Sequence, residues 1–422
     1  MPYRFLLPLS GGYNRSVLSY YSGQERGLRP CCVFAPTRSS EVARFVREVT
    51  KNGSSRSPKF AIHSGGHTIW GGAANIAGGI TVDMRAMNEV ELSLDRKPAK
   101  IGTGGIWSDI YTVLVPHNLT VMGGRVAGIG VGGLFTGGGI NYLSRRYGWV
   151  CDNIYAYEIV LGNGDVVVAT ADLYADLWLA LKGGSNNFGI VLSLHVPTWL
   201  MKLMWRGSLT VPYITEVLLG SAKAFAEFMA LTNFDNSADM GLAFVFEADN
   251  PPVYLSFLSI IGRISSNTGL QNVANITKET NGSLPEGSLR AIDLVYSFRN
   301  ADVAGLQLVY LLQPHPVTNG TNSLGLEPGG CEFVMAVLTA AYSDREDDGM
   351  VQKTVQAIMN NHIHVLQEKG LYISYKYLNY ADKSQDPIAS YGKTKRRLQS
   401  VSRKYDHQGV FQKRVPGGFK LF

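Results

Sequence analysis

Residues 60–68 read Phe60-Ala61-Ile62-His63-Ser64-Gly65-Gly66-His67-Thr68, an apolar run that ends in a turn of small residues. Further along, residues 130–139 read Gly130-Val131-Gly132-Gly133-Leu134-Phe135-Thr136-Gly137-Gly138-Gly139. The first pattern is typical of a strand that ends in a loop with free backbone amides. Glycine permits positive φ and close approach of a ligand, and successive N–H groups form a concavity for anions. We expect two loops able to hold both ends of a long, phosphate-bearing cofactor.

Two simpler explanations compete with this interpretation. A Ser-Gly-Gly-His segment by itself is equally typical of an ordinary turn with a capping histidine. The second stretch also matches the G-x-G-x-x-G nicotinamide fingerprint at residues 128–133, with Asp152 downstream as its acidic residue. That fingerprint needs a strand before it and a helix that starts inside it. Glycines at 123–124 and 137–139 oppose both, since each glycine within a helix costs about 1 kcal/mol relative to alanine. We therefore reject a Rossmann nucleotide site.

Five further segments follow in a fixed order along the chain. They are Pro36-Thr37, Ile-Thr-Val-Asp-Met-Arg-Ala-Met-Asn at 80–88, Gly-Thr-Gly-Gly at 102–105, Leu-Lys-Gly-Gly-Ser-Asn-Asn-Phe-Gly-Ile-Val at 181–191, and Tyr-Leu-Asn-Tyr-Ala-Asp at 377–382. The whole array resembles the berberine-bridge-enzyme branch of the vanillyl-alcohol-oxidase flavoproteins, especially its fungal secondary-metabolism members. The resemblance is dense over residues 27–200 and at the C-terminus. Order and spacing carry it, rather than any single motif.

The resemblance implies an FAD cofactor and assigns its contacts. It places the pyrophosphate on the first loop and implies a covalent bond between His67 and the flavin 8α-methyl, which suits imidazole because its neutral form is a nucleophile near pH 7. Some relatives attach the flavin a second time through a cysteine where this chain has Val126, so we expect a single attachment. The expected FAD-binding residues are Ser64, Gly65, Gly66, His67, Thr68, Ile129, Gly130, Gly132, Gly133, Thr136, Gly137, Gly189, Ile190, Val191 and Asn379.

Candidate catalytic groups lie in the C-terminal segment that, by resemblance, passes over the flavin ring. They are Tyr375, Tyr377 and Asn379, with Tyr380 beside them. A phenol can donate or accept a proton and orient a substrate hydroxyl. Alternate tyrosines on a strand also commonly serve only to pack, and the central region could supply the base instead, for example Glu247.

Length and periodicity predict an α+β fold. A chain of 422 residues exceeds what one hydrophobic core usually organises. We expect a two-part PCMH-type FAD-binding domain at 27–200, completed by a C-terminal segment at 371–422, and a substrate domain at 201–370 with an antiparallel sheet covered by helices. The pattern predicts strands at 32–35, 60–62, 80–84, 90–94, 100–102, 158–161, 166–169, 242–247, 253–260 and 305–311, and helices at 39–52, 107–115, 171–181, 214–231 and 350–368.

Composition excludes several classes of protein. Charged residues make up 17% and hydrophobic residues 45%, which is unlike a disordered chain. The net charge of +6 is dilute, and the basic residues at 393–404 are typical of a solvated helix face, so we expect no nucleic-acid partner. We likewise expect no metal site, no membrane span and a monomer. The N-terminus shows no signal peptide, whereas six Asn-x-Ser/Thr sequons favour a secretory history: Asn14, Asn52, Asn118, Asn275, Asn281 and Asn319.

The expected activity is oxidation of a small organic metabolite by FAD. Hydride would pass from substrate to flavin N5, and dioxygen would reoxidise the flavin and leave as hydrogen peroxide. The alternatives are a flavin-scaffolded oxidative cyclase or pericyclase, a mono- or oligosaccharide oxidase, and a non-catalytic relic.

Overall fold

The computed structural model describes residues 4–51, 57–211, 215–230, 235–247, 265–281, 290–292, 307–329 and 333–422. Its strands are β1 Phe5–Leu6, β2 Cys32–Phe34, β3 Phe60–His63, β4 Ile80–Asp83, β5 Val90–Leu92, β6 Pro98–Gly102, β7 Leu119–Thr120, β8 Ala156–Val160, β9 Val166–Thr170, β10 Ile190–Pro197, β11 Trp199–Leu200, β12 Met204–Thr210, β13 Leu242–Glu247, β14 Ser265–Gln271, β15 Arg290–Ile292, β16 Gln307–Pro314 and β17 Val334–Tyr342.

Helices connect and cover these strands. They are α1 Gly11–Leu18, α2 Gly23–Arg26, α3 Ser39–Thr50, α4 Trp107–Leu114, α5 Val131–Thr136, α6 Ser144–Tyr147, α7 Ala175–Leu181, α8 Thr215–Met229, α9 Val273–Asn281, α10 Asp348–Glu368, α11 Lys393–Tyr405 and α12 Val410–Lys413. No helix among the described residues is both long enough and apolar enough to cross a bilayer.

The first sheet has the order β1-β2-β4-β3 and carries the first glycine loop. Strand β4 pairs in parallel with both β2 and β3, which places the loop after β3 at the carboxyl edge of the sheet. The predicted helix at 39–52 is confirmed as α3, and its apolar face packs on the sheet. Phe45 stacks on Phe34 at 4.9 Å between ring centroids and meets Phe60 edge-on at 5.4 Å.

The second sheet, β5-β6-β10-β8-β9, is antiparallel throughout. The hairpin predicted at Asn163-Gly164 is confirmed, because β8 pairs with β9 around it and Gly164 has a φ of 81°. One core lies between α3 and the two sheets, and includes Val160 and Ile190. Another core forms where α4 and α5 meet the second sheet around Trp107 and Phe135. The four side chains named for these two cores are at most 1% exposed.

The second glycine stretch begins with a short helix. Helix α5 runs only from Val131 to Thr136, and Gly137 caps it. The two glycines that follow have positive φ, 115° at Gly138 and 84° at Gly139, which opposes any continuation of the helix. In this part of the described chain the only β-pairing before the helix is an isolated bridge between Ile106 and Gly130. The structure thus agrees with the rejection of a Rossmann site.

The middle of the chain forms separate antiparallel sheets. Strand β12 pairs with β14, and a four-stranded sheet has the order β13-β16-β17-β15. Strands predicted at 242–247 and 305–311 and helices predicted at 214–231 and 350–368 are confirmed, whereas 253–260 lies outside the described residues. The division at 27–200, 201–370 and 371–422 remains a proposal.

The C-terminal segment returns to the first two sheets. Val410, Phe411 and Val415 are buried with α3 and β3, and Leu398 joins the core beneath the second sheet. At the other end of the chain β1, which the sequence did not predict, adds an edge strand with Phe5 opposite Phe34. The first glycine stretch therefore follows strand β3 of the first sheet, whereas the second forms helix α5 and packs on the second sheet.

Candidate functional site

The two glycine loops lie in direct backbone contact. Ser64 Oγ donates to the carbonyl of Thr103 at 2.5 Å and accepts from the Gly132 N–H at 3.1 Å. A Cβ placed on Gly65 would lie 2.3 Å from the Cα of Gly130. Real Cβ atoms never approach backbone so closely, so glycine is required at both positions. The two predicted loops thus meet side by side, along a shared edge formed by residues 64–65 and 130–132.

Gly133 marks the open side of this edge. It is exposed, and no heavy atom of the described chain lies within 4 Å of a Cβ built on it. One residue earlier the space is filled, since a Cβ on Gly132 would lie 3.0 Å from Ser64 Oγ. A ligand can therefore approach the backbone of the second loop at Gly133.

His67 stands half-buried beside this edge. Its ring stacks on Tyr21, with 4.1 Å between centroids and 14° between planes. Burial lowers the pKa of His67 to about 4, so the imidazole is neutral at pH 7 and keeps a nucleophilic nitrogen. The preceding residue, Gly66, has a φ of 66° that favours glycine.

A second histidine, which the sequence analysis did not single out, lies beneath the loop. His63 is fully buried, and its Nδ1 lies 3.8 Å from Asp83 Oδ1 because the parallel register places the two residues opposite each other. Neither ring nitrogen of His63 has a hydrogen-bond partner among the described residues. Burial lowers the pKa of His63 to about 4. Burial alone would raise the pKa of Asp83. Hydrogen bonds from Arg85 and the electrostatic effect of the nearby His63 outweigh burial and lower the pKa of Asp83 to about 2.

Replacing His63 by phenylalanine is expected to reduce the acid sensitivity of folding. Because the folded-state pKa of His63 lies near 4 and its ordinary value is 6.5, the unfolded chain takes up the proton first as pH falls. The stability due to the neutral imidazole is complete above pH 6.5 and is lost as pH falls towards 4, by an amount of about 3 kcal/mol. Urea midpoints at pH 7 and pH 5 measure this loss. An equal drop for parent and variant would contradict the assignment.

The C-terminal segment docks on the second loop through two of the predicted catalytic residues. Asn379 Nδ2 donates to the carbonyl of Leu134 at 3.2 Å and to the Tyr377 hydroxyl at 3.0 Å. The same hydroxyl accepts from the Gly139 N–H at 3.0 Å. A Cβ on Gly137 would lie 2.1 Å from Asn379 Oδ1. Tyr377 and Asn379 therefore lie together against the glycine stretch.

Tyr375 lies apart from that pair, in an aromatic cluster. Its ring packs edge-on against Trp149 and His315, at 6.1 and 5.6 Å between centroids. The Tyr375 hydroxyl is buried and has no hydrogen-bond partner in the described part of the chain. Burial raises the pKa values of Tyr375 and Tyr377, so both are neutral phenols at pH 7. Their catalytic assignment remains a prediction.

The predicted adenine-end residues lie in the sheet beside the loops. A Cβ on Gly189 would lie 2.5 Å from the carbonyl of Val160, so this glycine packs on β8. Ile190 is buried in the core, and the Val191 carbonyl accepts from Thr103 Oγ1 at 2.6 Å. Thr103 thus links these residues to Ser64 of the first loop.

The remaining predicted cofactor residues lie nearby. The carbonyl of Ile129 accepts from the N–H of Trp107 at 3.1 Å, immediately before the second loop. The carbonyl of Thr136 accepts from the N–H of Ser185 at 2.9 Å, while Thr68 is half-buried on the first loop.

Arg125 forms a polar junction that the sequence analysis missed. Its guanidinium donates to Gln313 Oε1 at 2.6 Å and to the Tyr380 hydroxyl at 3.1 Å, and pairs with Asp239 at 3.2 Å. These partners come from three distant parts of the chain, so no local pattern could have revealed them. The junction lies next to Val126, where a second flavin attachment would be.

These features fit the cofactor that the resemblance implies. The loops touch where glycine is obligatory and leave open backbone at Gly133. A neutral imidazole stands on the same edge at His67. An extended cofactor with a pyrophosphate and a reactive methyl group suits such an arrangement.

Comparison with known proteins identifies an FAD-binding domain in this chain. Residues 30–170 match the family described as FAD binding domain. An FAD-dependent monooxygenase of Cochliobolus heterostrophus is 32% identical and covers 95% of this chain and 87% of its own length. One of Fusarium proliferatum is 30% identical, with 98% and 89% covered. The bifunctional solanapyrone synthase of Alternaria solani is 27% identical, with 93% and 82% covered.

Solved structures show the same fold. The 6-hydroxy-D-nicotine oxidase of Arthrobacter nicotinovorans superposes with a TM-score of 0.77 at 20% identity, covering 96% of each chain. The BBE-like 1 protein of Physcomitrella patens gives 0.73 at 19% identity, covering 97% of this chain and 95% of its own. The fold is thus the α+β architecture of PCMH-type flavin oxidases, and the chain belongs to the family of the fungal FAD-dependent monooxygenases.

Proposed function

We propose that this oxidoreductase is an oxidase of a small organic metabolite, most suitably one of fungal secondary metabolism. When bound, FAD supplies a hydride acceptor and passes the electrons to dioxygen, which leaves as hydrogen peroxide. The observation that carries the proposal is the contact between the two glycine loops beside the neutral imidazole of His67. In this proposal the two loops bind a flavin and His67 tethers it. Catalysis by side chains alone would instead need an activated nucleophile.

The proposed FAD contacts divide between the loops. The first loop, residues 64–68, holds the pyrophosphate through backbone N–H groups, and His67 forms the single covalent attachment. The second, residues 129–137, lies along the ribityl chain and ring, with Asn379 at the ring edge. Residues 189–191 face the adenine end. A second attachment is absent from this proposal because Val126 has no nucleophilic atom.

Tyr377 is the best placed of the proposed catalytic residues. Its oxygen accepts from both the Gly139 N–H and Asn379 Nδ2, so its own proton remains available to a substrate oxygen or nitrogen. The same two donors lower the pKa of Tyr377, but burial outweighs them and raises this pKa overall, so Tyr377 acts in this proposal as a neutral proton donor. Asn379 then positions this phenol, and Tyr375 shapes the aromatic wall behind it.

A visible spectrum and an anaerobic bleaching screen test the function. Purified protein should be yellow, and the correct metabolite should bleach it without oxygen and release one hydrogen peroxide per turnover in air. Because relatives are called monooxygenases, incorporation of labelled oxygen into product would replace the oxidase proposal by oxygen insertion. Turnover without oxygen uptake would favour the cyclase alternative. Bleaching by xylobiose would favour the oligosaccharide alternative.

Replacing Tyr377 by phenylalanine is expected to slow anaerobic bleaching about 100-fold or more, the usual range for loss of a general acid or base. The metabolite identified in the screen is the substrate, and the bound flavin content is measured in parallel. Tyr13→Phe is the matched control, since its hydroxyl also makes a buried hydrogen bond, to the Pro30 carbonyl at 2.8 Å, far from the site. Parent-like bleaching by Tyr377→Phe would show that the hydroxyl only docks the segment.

We also propose a glycosylated, secretory-pathway monomer. The sequon residues Asn14, Asn118, Asn275 and Asn319 are all exposed, as glycosylation requires. A mass decrease on treatment with an endoglycosidase would support this assignment in the native host, and an unchanged mass would refute it.

A further inference from the structure

Two consecutive tyrosines outside the resemblance hold the first loop. We call Tyr20 and Tyr21 the tyrosine pair. Tyr20 stacks on His63 with 4.0 Å between centroids and 19° between planes, and Tyr21 stacks on His67 at 4.1 Å and 14°. The Tyr21 N–H also donates to the carbonyl of Gly66 at 2.9 Å. Each tyrosine thus faces one histidine of the loop, and a backbone bond fixes the register.

The lower layer of this arrangement is rigid. Tyr20 is fully buried, and its hydroxyl donates to the Ala74 carbonyl at 2.9 Å. A Cβ on Gly66 would lie 2.6 Å from His63 Nε2, so the loop backbone rests directly on the buried imidazole. The position of the residue that follows, His67, is therefore set from beneath.

The upper layer determines the plane of the reactive ring. Burial raises the pKa of Tyr21 and lowers that of His67, so both rings are neutral and their contact is stacking rather than an ion pair. A stacked aromatic partner favours one orientation of the imidazole side chain several-fold. Tyr21 is only half-buried, so its replacement leaves the core intact.

We propose that Tyr21 is a positioning residue for covalent flavin attachment, holding the His67 imidazole in the plane in which a ring nitrogen meets the 8α carbon. This inference rests on the proposed function. The N–C bond forms as the 8α-methyl loses one hydrogen and the imidazole loses its N–H proton. Two electrons pass to the flavin ring and then to dioxygen, so that one hydrogen peroxide is produced for each attachment.

Reconstitution of the apoprotein with FAD tests the role of Tyr21. The rate at which flavin becomes stable to acid precipitation is compared with the total flavin retained after desalting. Tyr21→Phe, which keeps the ring, should couple within twofold of the parent. Tyr21→Leu should couple at least threefold more slowly than the parent, with unchanged total flavin. Tyr155→Leu, at an exposed tyrosine, is the matched control and should couple like the parent.

The outcomes separate this inference from the function beneath it. Parent-like coupling by Tyr21→Leu overturns the inference, and so does an equal loss of total and acid-stable flavin, which indicates a merely structural role. If Tyr21→Leu does not fold, Tyr21→Met is measured in the same way. A parent that retains FAD but never makes it acid-stable overturns the proposed His67 bond, and the inference with it. The first failures arise only when the parent couples, so the two cases are distinguishable.

Discussion

Replacing His67 by alanine is expected to remove all acid-stable flavin from the protein. The reason is that His67, whose imidazole burial keeps neutral, is the proposed attachment residue, and Val126 has no nucleophilic atom for a second bond. The backbone groups of the two loops remain in His67→Ala, so FAD should still bind reversibly. Intact-protein mass gives the result directly: the parent should carry one covalent flavin, and the variant none.

The matched control is His364→Ala, which removes an exposed histidine from α10. It should retain the full adduct. Flavin that stays attached in His67→Ala, and that peptide mapping locates on another residue, would show that the tether is elsewhere. Colourless parent protein that neither binds nor retains FAD would contradict the site as a whole.

The second large effect is expected from Gly133→Ala. Nothing in the described chain lies within 4 Å of the added Cβ, and the residue is in helix α5, so alanine should leave the apoprotein as stable or up to about 1 kcal/mol more stable. If FAD lies against this backbone, the methyl group occupies its space and affinity should fall at least tenfold. Thermal unfolding of the apoprotein and FAD titration measure the two quantities separately.

Gly65→Ala provides the opposite pattern. Its Cβ would lie 2.3 Å from the Cα of Gly130, so the loops must separate even without ligand, at a cost of about 1–3 kcal/mol from overpacking.

Gly220→Ala in α8 is the matched control for Gly133→Ala, since its Cβ also meets no described atom within 4 Å, and this control should bind FAD normally. Equal affinities for Gly133→Ala and the parent would place the flavin elsewhere.

Local patterns predicted most of the scaffold. The parallel unit of β2, α3 and β3 and the Asn163-Gly164 hairpin each depend on neighbouring residues, whereas helix α5 is not among the predicted helices. Periodicity and glycine chemistry act over such distances. The order of the glycine loops likewise identified the family.

Contacts between distant segments could not be predicted in this way. The Arg125 junction joins residues from three separate parts of the chain, and the tyrosine pair precedes the segment over which the resemblance is dense. The sequence does not single out His63, because its role becomes apparent only when strand pairing places it opposite Asp83 of the neighbouring strand. Tertiary packing determines these partners. The same packing gives the Tyr377 hydroxyl one backbone donor, the Gly139 N–H, and one side-chain donor, Asn379 Nδ2, which a strand pattern does not reveal.

The backbone contact between Gly65 and Gly130 affects how the stability of the folded protein depends on the concentration of free FAD. Because the two loops come from distant parts of the chain, a ligand bound across both opposes their separation, and a reversible ligand does so only in proportion to the logarithm of its free concentration. If His67 carries the proposed covalent bond, the prosthetic group cannot diffuse away when the protein is diluted. The stabilisation that a covalently bound group gives against separation of the two loops would therefore persist where free FAD is scarce.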